Sequence, residues 1–157
     1  MTTIRKATIK DCEKIAPLWT ELMEFHSDKH YIFKTTPRFK DQVFLDIKKF
    51  LDNPSVTFFV AEQNNEIVGF SMTKIVIRPT VFDLTKSGHI GETYVHSGLR
   101  GQGIGAKLIS EVKSWFKEQE VDFIDLQVTR TNKLGKKFWE NNGFKVVNYL
   151  MINDLKE

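Results

Sequence analysis

Leu99-Arg100-Gly101-Gln102-Gly103-Ile104-Gly105-Ala106 sets three glycines within five residues, between a strand-like run ending at His96 and apolar residues at helical spacing. Glycines in that position remove side chains where the backbone must turn and meet something closely. Successive N–H groups then point outward at a helix N-terminus, whose dipole and unpaired donors favour a phosphate or pyrophosphate, and Arg100 adds a positive charge beside them. The plainer reading, a tight strand-to-helix connection, needs only one glycine.

Spacing separates the phosphate motifs that compete for this segment. A P-loop carries Lys followed by Ser or Thr, whereas Lys107 here precedes Leu108, so the metal-binding hydroxyl is missing. The dinucleotide fingerprint G-x-G-x-x-G/A is matched by Gly101, Gly103 and Ala106, with Asp122 or Asp125 near the distance of a ribose contact. That fold, however, places its motif early and several βα units after it. Gly105 lies in the last third of a 157-residue chain.

Outward from the loop, Ile104, Leu108, Ile109, Val112, Trp115 and Phe116 mark one helix and Phe123 to Val128 the strand after it. Thr131 or Asn132 caps a further helix with Leu134, Phe138 and Trp139 facing inward; it stops at Asn142-Gly143, and Phe144 to Ile152 reads as a last strand. Toward the N-terminus, His89 to His96 is a strand, with Ile90, Glu92 and Tyr94 on one face and Gly91, Thr93 and Val95 on the other. Val56 to Ala61 and Ile67 to Ile77 form a hairpin turning at Asn64-Asn65. Two amphipathic helices precede it. One follows a short strand, Ile4 to Ala7, and a Thr8 cap, with Ile15, Leu18, Trp19, Leu22 and Phe25 as its stripe; the other follows Thr36-Pro37, with Phe39, Val43, Phe44, Ile47, Phe50 and Leu51. The order β α α β β β α β α β predicts an α/β (α+β mixed) fold, a mixed central sheet flanked by about four helices.

Composition fits one compact domain over 1–157: 41% hydrophobic and 27% charged residues. A net charge of +3 is too small and dispersed for a nucleic-acid-coating protein, and 13 Phe exclude a disordered chain. No apolar run approaches the ~20 residues that cross a bilayer. The start Met1-Thr2-Thr3-Ile4-Arg5-Lys6 has no signal-peptide core, so a cytoplasmic, non-membrane protein is expected. The lone Cys12 excludes an intrachain disulfide and a Cys-rich metal site.

Arg100, Gly103 and Gly105 also match R/Q-x-x-G-x-G/A, and with them the chain resembles the GNAT superfamily of acyl-CoA N-acyltransferases. The resemblance extends over Ile4-Arg5-Lys6-Ala7, Val60-Ala61-Glu62, Ile67-Val68-Gly69-Phe70, Tyr94-Val95, and Asn132 through Phe138 to Gly143-Phe144. It implies a sheet splayed between the strand ending at Tyr94-Val95 and the strand after the glycine-led helix. It also implies acetyl-CoA as cosubstrate, with no metal. The cofactor-binding positions it carries over are Tyr94, Val95, Arg100, Gly101, Gln102, Gly103, Ile104, Gly105, Asn132 and Phe138. Amides of Gly101 to Gly105 take the pyrophosphate, the backbone of Tyr94 and Val95 pairs with pantetheine, and the Val95 amide polarises the thioester carbonyl. Many members dimerise, and the final strand is a candidate contributor.

Transfer to a primary amine needs a neutral nitrogen, and an alkylammonium is mostly protonated at neutral pH, so a base is required. Glu92 is the first choice, where the family often carries an acid; a surface ion pair is the plainer alternative, and His89 and His96 are secondary. The family's usual Tyr proton donor is replaced in the pair Phe138-Trp139, and an indole is no useful acid. Tyr94 and Tyr149 are the remaining tyrosine candidates. Glu24, His26 and Asp28 are candidate contacts for the acceptor amine, a small amine, an amino acid, or a protein lysine or N-terminus. The alternatives are a CoA-binding regulatory or interaction module without efficient transfer, and a nicotinamide oxidoreductase.

Overall fold

The computed structural model describes residues 1–155, which fall into two compact units, 1–127 and 128 onward. The first holds a five-stranded sheet in the order β1-β2-β3-β4-β5. The strands are β1 Thr2–Lys6, β2 Val56–Gln63, β3 Glu66–Ile77, β4 Lys86–Val95 and β5 Phe123–Leu126. β1 to β4 run antiparallel, and β4 pairs β5 in parallel. The β2–β3 hairpin closes through Asn64 and Asn65 at φ 52 and 64, the left-handed region that asparagine tolerates.

Helices α1 (Cys12–Ser27) and α2 (Phe39–Leu51) cover one face. Ile15, Leu18 and Leu22 of α1 and Ile47 of α2 meet Phe58, Val60 and Phe70 from the sheet, and Trp19 lies 5.8 Å from the rings of both Phe58 and Phe70. Helix α3 (Ile104–Glu118) covers the opposite face with the six apolar residues expected of it, all buried. Burial of this kind stabilises by roughly 1.5–3 kcal/mol per large side chain. β1 is held to the entry of α1 by Arg5, which donates two 2.9 Å bonds to the carboxylate of buried Asp11. Those bonds keep the Asp11 carboxyl down at about 2.

Helix starts shift by a few residues. Thr8 opens a 3-10 turn, its backbone N–H and its hydroxyl both donating to Asp11 Oδ2, and α1 begins only at Cys12. α2 starts at Phe39, after a turn at 37–38, and Phe44 stays 37% exposed because the stripe that reaches the core is Val43 and Ile47.

β4 departs from simple alternation. Its register passes from Met72↔Glu92 to Thr73↔Ile90, so Gly91 is an inserted residue. Met72 and Thr73 are neighbours on β3 and project to opposite faces. Glu92 and Tyr94 therefore face α1 and α2, whereas Ile90 faces α3, which corrects the shared face read for these three. A Cβ on Gly91 would lie 2.6 Å from Met72 Cε, so the bulge fits only glycine without repacking.

The second unit contains α4 (Lys133–Asn141). Asn132 caps it, accepting from the Gly135 N–H at 2.9 Å. Gly143 at φ 86 ends it, with the Phe144 N–H reaching back to the Trp139 carbonyl. Two sequence expectations fail here. Leu134 is 83% exposed instead of facing inward, and 144–152 forms no strand. The alternation in that segment is present, but a strand exists only against a partner, and its apolar residues Val147, Tyr149 and Met151 stand exposed.

Gly88 pairs with Ile75, and a Cβ there would fall 2.6–2.8 Å from the Phe116 ring. Gly88→Ala is expected to lower stability by about 1–3 kcal/mol through overpacking, read as a fall in urea midpoint. Gly98→Ala, whose nearest neighbours stand at 3.5 Å, is the matched change expected to leave the midpoint unmoved.

Candidate active site

The parallel ladder runs from Ser87↔Phe123 to Ile90↔Leu126 and stops there. β4 continues to Val95, paired on its other side to Gly69. The sheet is thus split, and among the described residues no strand pairs with the outer edge of 91–95. Alternation fixes which groups face the split: the His96 N–H bonds the Val68 carbonyl at 2.9 Å, so 96/68 and 94/70 are the hydrogen-bonded pairs, and the N–H and C=O of Val95 point away from β3. Arg100 Nε donates to that carbonyl at 3.1 Å, and its guanidinium lies 5.1 Å from the Tyr94 ring centre. Arg100 thereby folds the glycine loop back against the end of β4.

Within the loop Gly101 and Gly103 stand at φ 79 and 77, a conformation costly for any residue with a Cβ. Nothing lies within 4 Å of a Cβ at either position, so both need glycine for backbone shape and leave open space above them. Gln102 is exposed and Ile104 buried; Ile104 offers the loop its amide while its side chain anchors α3. Among the described residues, no protein acceptor meets the N–H groups of Gly101 through Gly105. The donors expected at a helix start are therefore present and unused.

On the α1 face, Glu92 is half-buried, and none of the described hydrogen bonds or ion pairs engages it. Burial pushes its carboxyl up from 4.5 to about 7, because desolvation disfavours the charged form. Tyr94 is buried and donates its hydroxyl to Glu21 Oε2 at 2.8 Å; burial, followed by the Glu21 carboxylate, raises its pKa above the usual phenol value. Of the acceptor candidates at the end of α1, exposed Glu24 is paired to Lys40 of α2 at 2.8 Å. Half-buried His26 sits 6.0 Å from the Phe33 ring, and burial, then Lys29, lowers its pKa. Asp28 is the exposed C-cap.

In the second unit, Asn132 Oδ1 is taken by the α4 cap, Phe138 packs edge-on against Trp139 at 5.0 Å, and Tyr149 is exposed beyond α4. Among the described residues no group of His, Cys, Asp or Glu is placed to hold a metal ion, and no helix is long and apolar enough to cross a membrane.

Residues 19–144 match the model of the acetyltransferase (GNAT) family. The chain belongs to that family. This N-acetyltransferase is 25% identical over 142 residues to YhfO of Bacillus subtilis strain 168, an uncharacterized N-acetyltransferase, covering 90% of this chain and 89% of that one. It superposes on the tetramutant of BH1408 from Bacillus halodurans with a TM-score of 0.87 and 25% identity, over 98% and 99% of the two chains. The aminoglycoside N-acetyltransferase AAC(6')-Iy, solved with CoA, shares the fold at TM-score 0.81 and 16% identity, over 98% and 94%.

Sequence reasoning about this acetyltransferase missed Glu21 and the Gly91 bulge. Glu21 lies one residue from core Leu22 and gives no sign that its carboxylate reaches across to β4. Gly91 is visible only as a glycine inside a strand, which does signal a bulge.

A carboxyl raised from 4.5 to about 7 binds more protons folded than unfolded in that interval. Stability is therefore full below 4.5 and declines as pH rises through about 7. The wild type is expected to lose up to ~3 kcal/mol between pH 4.5 and 8 relative to Glu92→Gln, measured by urea unfolding of both proteins across that range.

Proposed function

We propose that residues 1–157 act as one domain that moves an acetyl group from acetyl-CoA to a primary amine by direct attack within a ternary complex. The observation that carries this reading is the row of unused amides at Gly101 to Gly105, set at the start of a helix pinned by six buried side chains. Their donors suit a diphosphate. The Val95 N–H, facing the split, suits a thioester oxygen where negative charge develops. In this assignment Tyr94 and Val95 lend backbone to the pantetheine arm. Arg100 and Gln102 flank the phosphates.

Glu92 is the base: with a pKa near neutrality it is half ionised at working pH, which suits proton removal. Tyr94 is poorly suited to protonate the departing thiolate, because its proton already serves Glu21 and its pKa is raised. Tyr149 stands as the other tyrosine for that step. Glu24, His26 and Asp28 form the acceptor mouth, with the amine class a small amine, an amino acid, or a protein lysine or N-terminus. The unpaired thiol of buried Cys12 suits a cytoplasmic setting.

Trp139, where the family's tyrosine is usual, favours a second reading, a CoA-responsive module without turnover. Thiol release separates the two. With pooled amines and peptides, the wild type is expected to release CoA thiol, and kcat/KM to rise with pH through an apparent pKa of about 7. Glu92→Gln is expected to lose that limb and about 10²-fold or more in rate. Binding of acetyl-CoA with no thiol released from any amine favours the module.

Gly103→Ala, strained at φ 77 and placing a methyl in the cradle, is expected to weaken acetyl-CoA about tenfold by calorimetry.

A further inference from the structure

An alkylammonium gives up two protons on becoming a neutral amide, one to free its lone pair and one after the C–N bond forms. Glu92 accounts for one. The sheet sets a second proton acceptor near it. β4 and β5 pair His89 with Asp125, the next-to-last rung before the split, and His89 Nδ1 lies 2.5 Å from Asp125 Oδ1. Register puts this pair on the face of Glu92: Lys74 pairs with His89 as Met72 pairs with Glu92, and Met72 and Lys74 share a side of β3. That face is bounded by Tyr94 with Glu21 at one end, and by Phe123 beneath Arg78 at the other.

The imidazole is 26% exposed. With Nδ1 turned to Asp125, Nε2 is the ring nitrogen left to face an acceptor, and the carboxylate fixes that tautomer. The charged groups that register places on this face beside His89 are Asp125 on β5, Lys74 on β3 and Glu92 on its own strand. Exposed pairs of this kind add only ~0–1 kcal/mol to stability, and the β4–β5 ladder already joins the strands.

Resting on the acetyl transfer proposed above, we propose that His89, oriented by Asp125, takes the first proton of the acceptor ammonium and Glu92 the second. His89 Nε2 accepts N–H from R–NH3+ and becomes imidazolium. The freed amine attacks the thioester carbonyl carbon, the C–N bond forms, and the C–S bond breaks with its electron pair leaving on sulfur. Glu92 removes the remaining surplus proton from nitrogen. One of the two protons ends on the thiolate and the other in solvent, giving amide, CoA thiol and one released proton.

The test compares two acceptors at about pH 8.5: the pool amine turned over fastest, still mostly ammonium there, and its β,β-difluoro analogue, whose weakly basic nitrogen is by then mostly neutral. His89→Gln is expected to lose about tenfold or more in kcat with the parent amine, with KM and acetyl-CoA affinity within about twofold of wild type. With the fluorinated amine it is expected to lose less than about twofold, since no first proton needs an acceptor. Asp125→Asn is expected to show the same dependence on acceptor basicity, and Asp125→Glu to recover part of the rate. Equal losses on both amines, or no loss on either, overturn the proposal in favour of a strand tie. A wild type that binds acetyl-CoA and turns over neither amine overturns it together with catalysis, whereas failure to bind acetyl-CoA overturns the reading of the glycine loop.

Discussion

A β-strand buried in a sheet uses both of its edges, and here β4 uses only one beyond Ile90. The ladder to β5 ends at Ile90↔Leu126, while pairing to β3 continues to Val95. Backbone groups abandoned in this way seek a partner, and the outward N–H of Val95 opens onto the split. The inserted Gly91 acts at the same place. It turns Ile90 toward α3 and leaves Glu92 on the α1 face, so one strand offers both the proposed cofactor edge and the face of the proposed base.

Rigidity at the loop comes from the other side of the sheet. Ile104, Leu108, Ile109, Val112, Trp115 and Phe116 are all buried, so the start of α3 is held by a full stripe. Its unpaired amides are preorganised, and little reorganisation opposes an incoming anion. Arg100 completes the arrangement by joining the loop to Val95, which couples the proposed phosphate cradle to the strand edge proposed to hold the thioester.

Much of this was legible in the residues. Helical spacing marked α3 because all six apolar positions serve one interface, and Gly101 and Gly103 were recognisable because only left-handed backbone requires them in open space. Glu92 was singled out as the proposed base from its position relative to Val95, whereas its burial was not legible there. What stayed hidden depends on pairing between distant segments. The sides taken by Ile90 and Glu92 follow from a register slip against Met72 and Thr73, which no local alternation reveals. The same holds for His89 with Asp125 and for Tyr94 with Glu21, each joined across more than thirty residues. Residues 144–152 carry strand chemistry without a strand, since alternation records a preference and pairing decides the outcome.

Main-chain donors at Gly101 to Gly105 and Val95 are the proposed seat of the cosubstrate. Amide proton and nitrogen shifts recorded while acetyl-CoA is added measure this most directly. Large, saturable shifts are expected at Gly101, Gly103, Gly105 and Val95, with core amides such as Val60 unmoved. Saturable shifts confined to other residues, with those four unchanged, would contradict it.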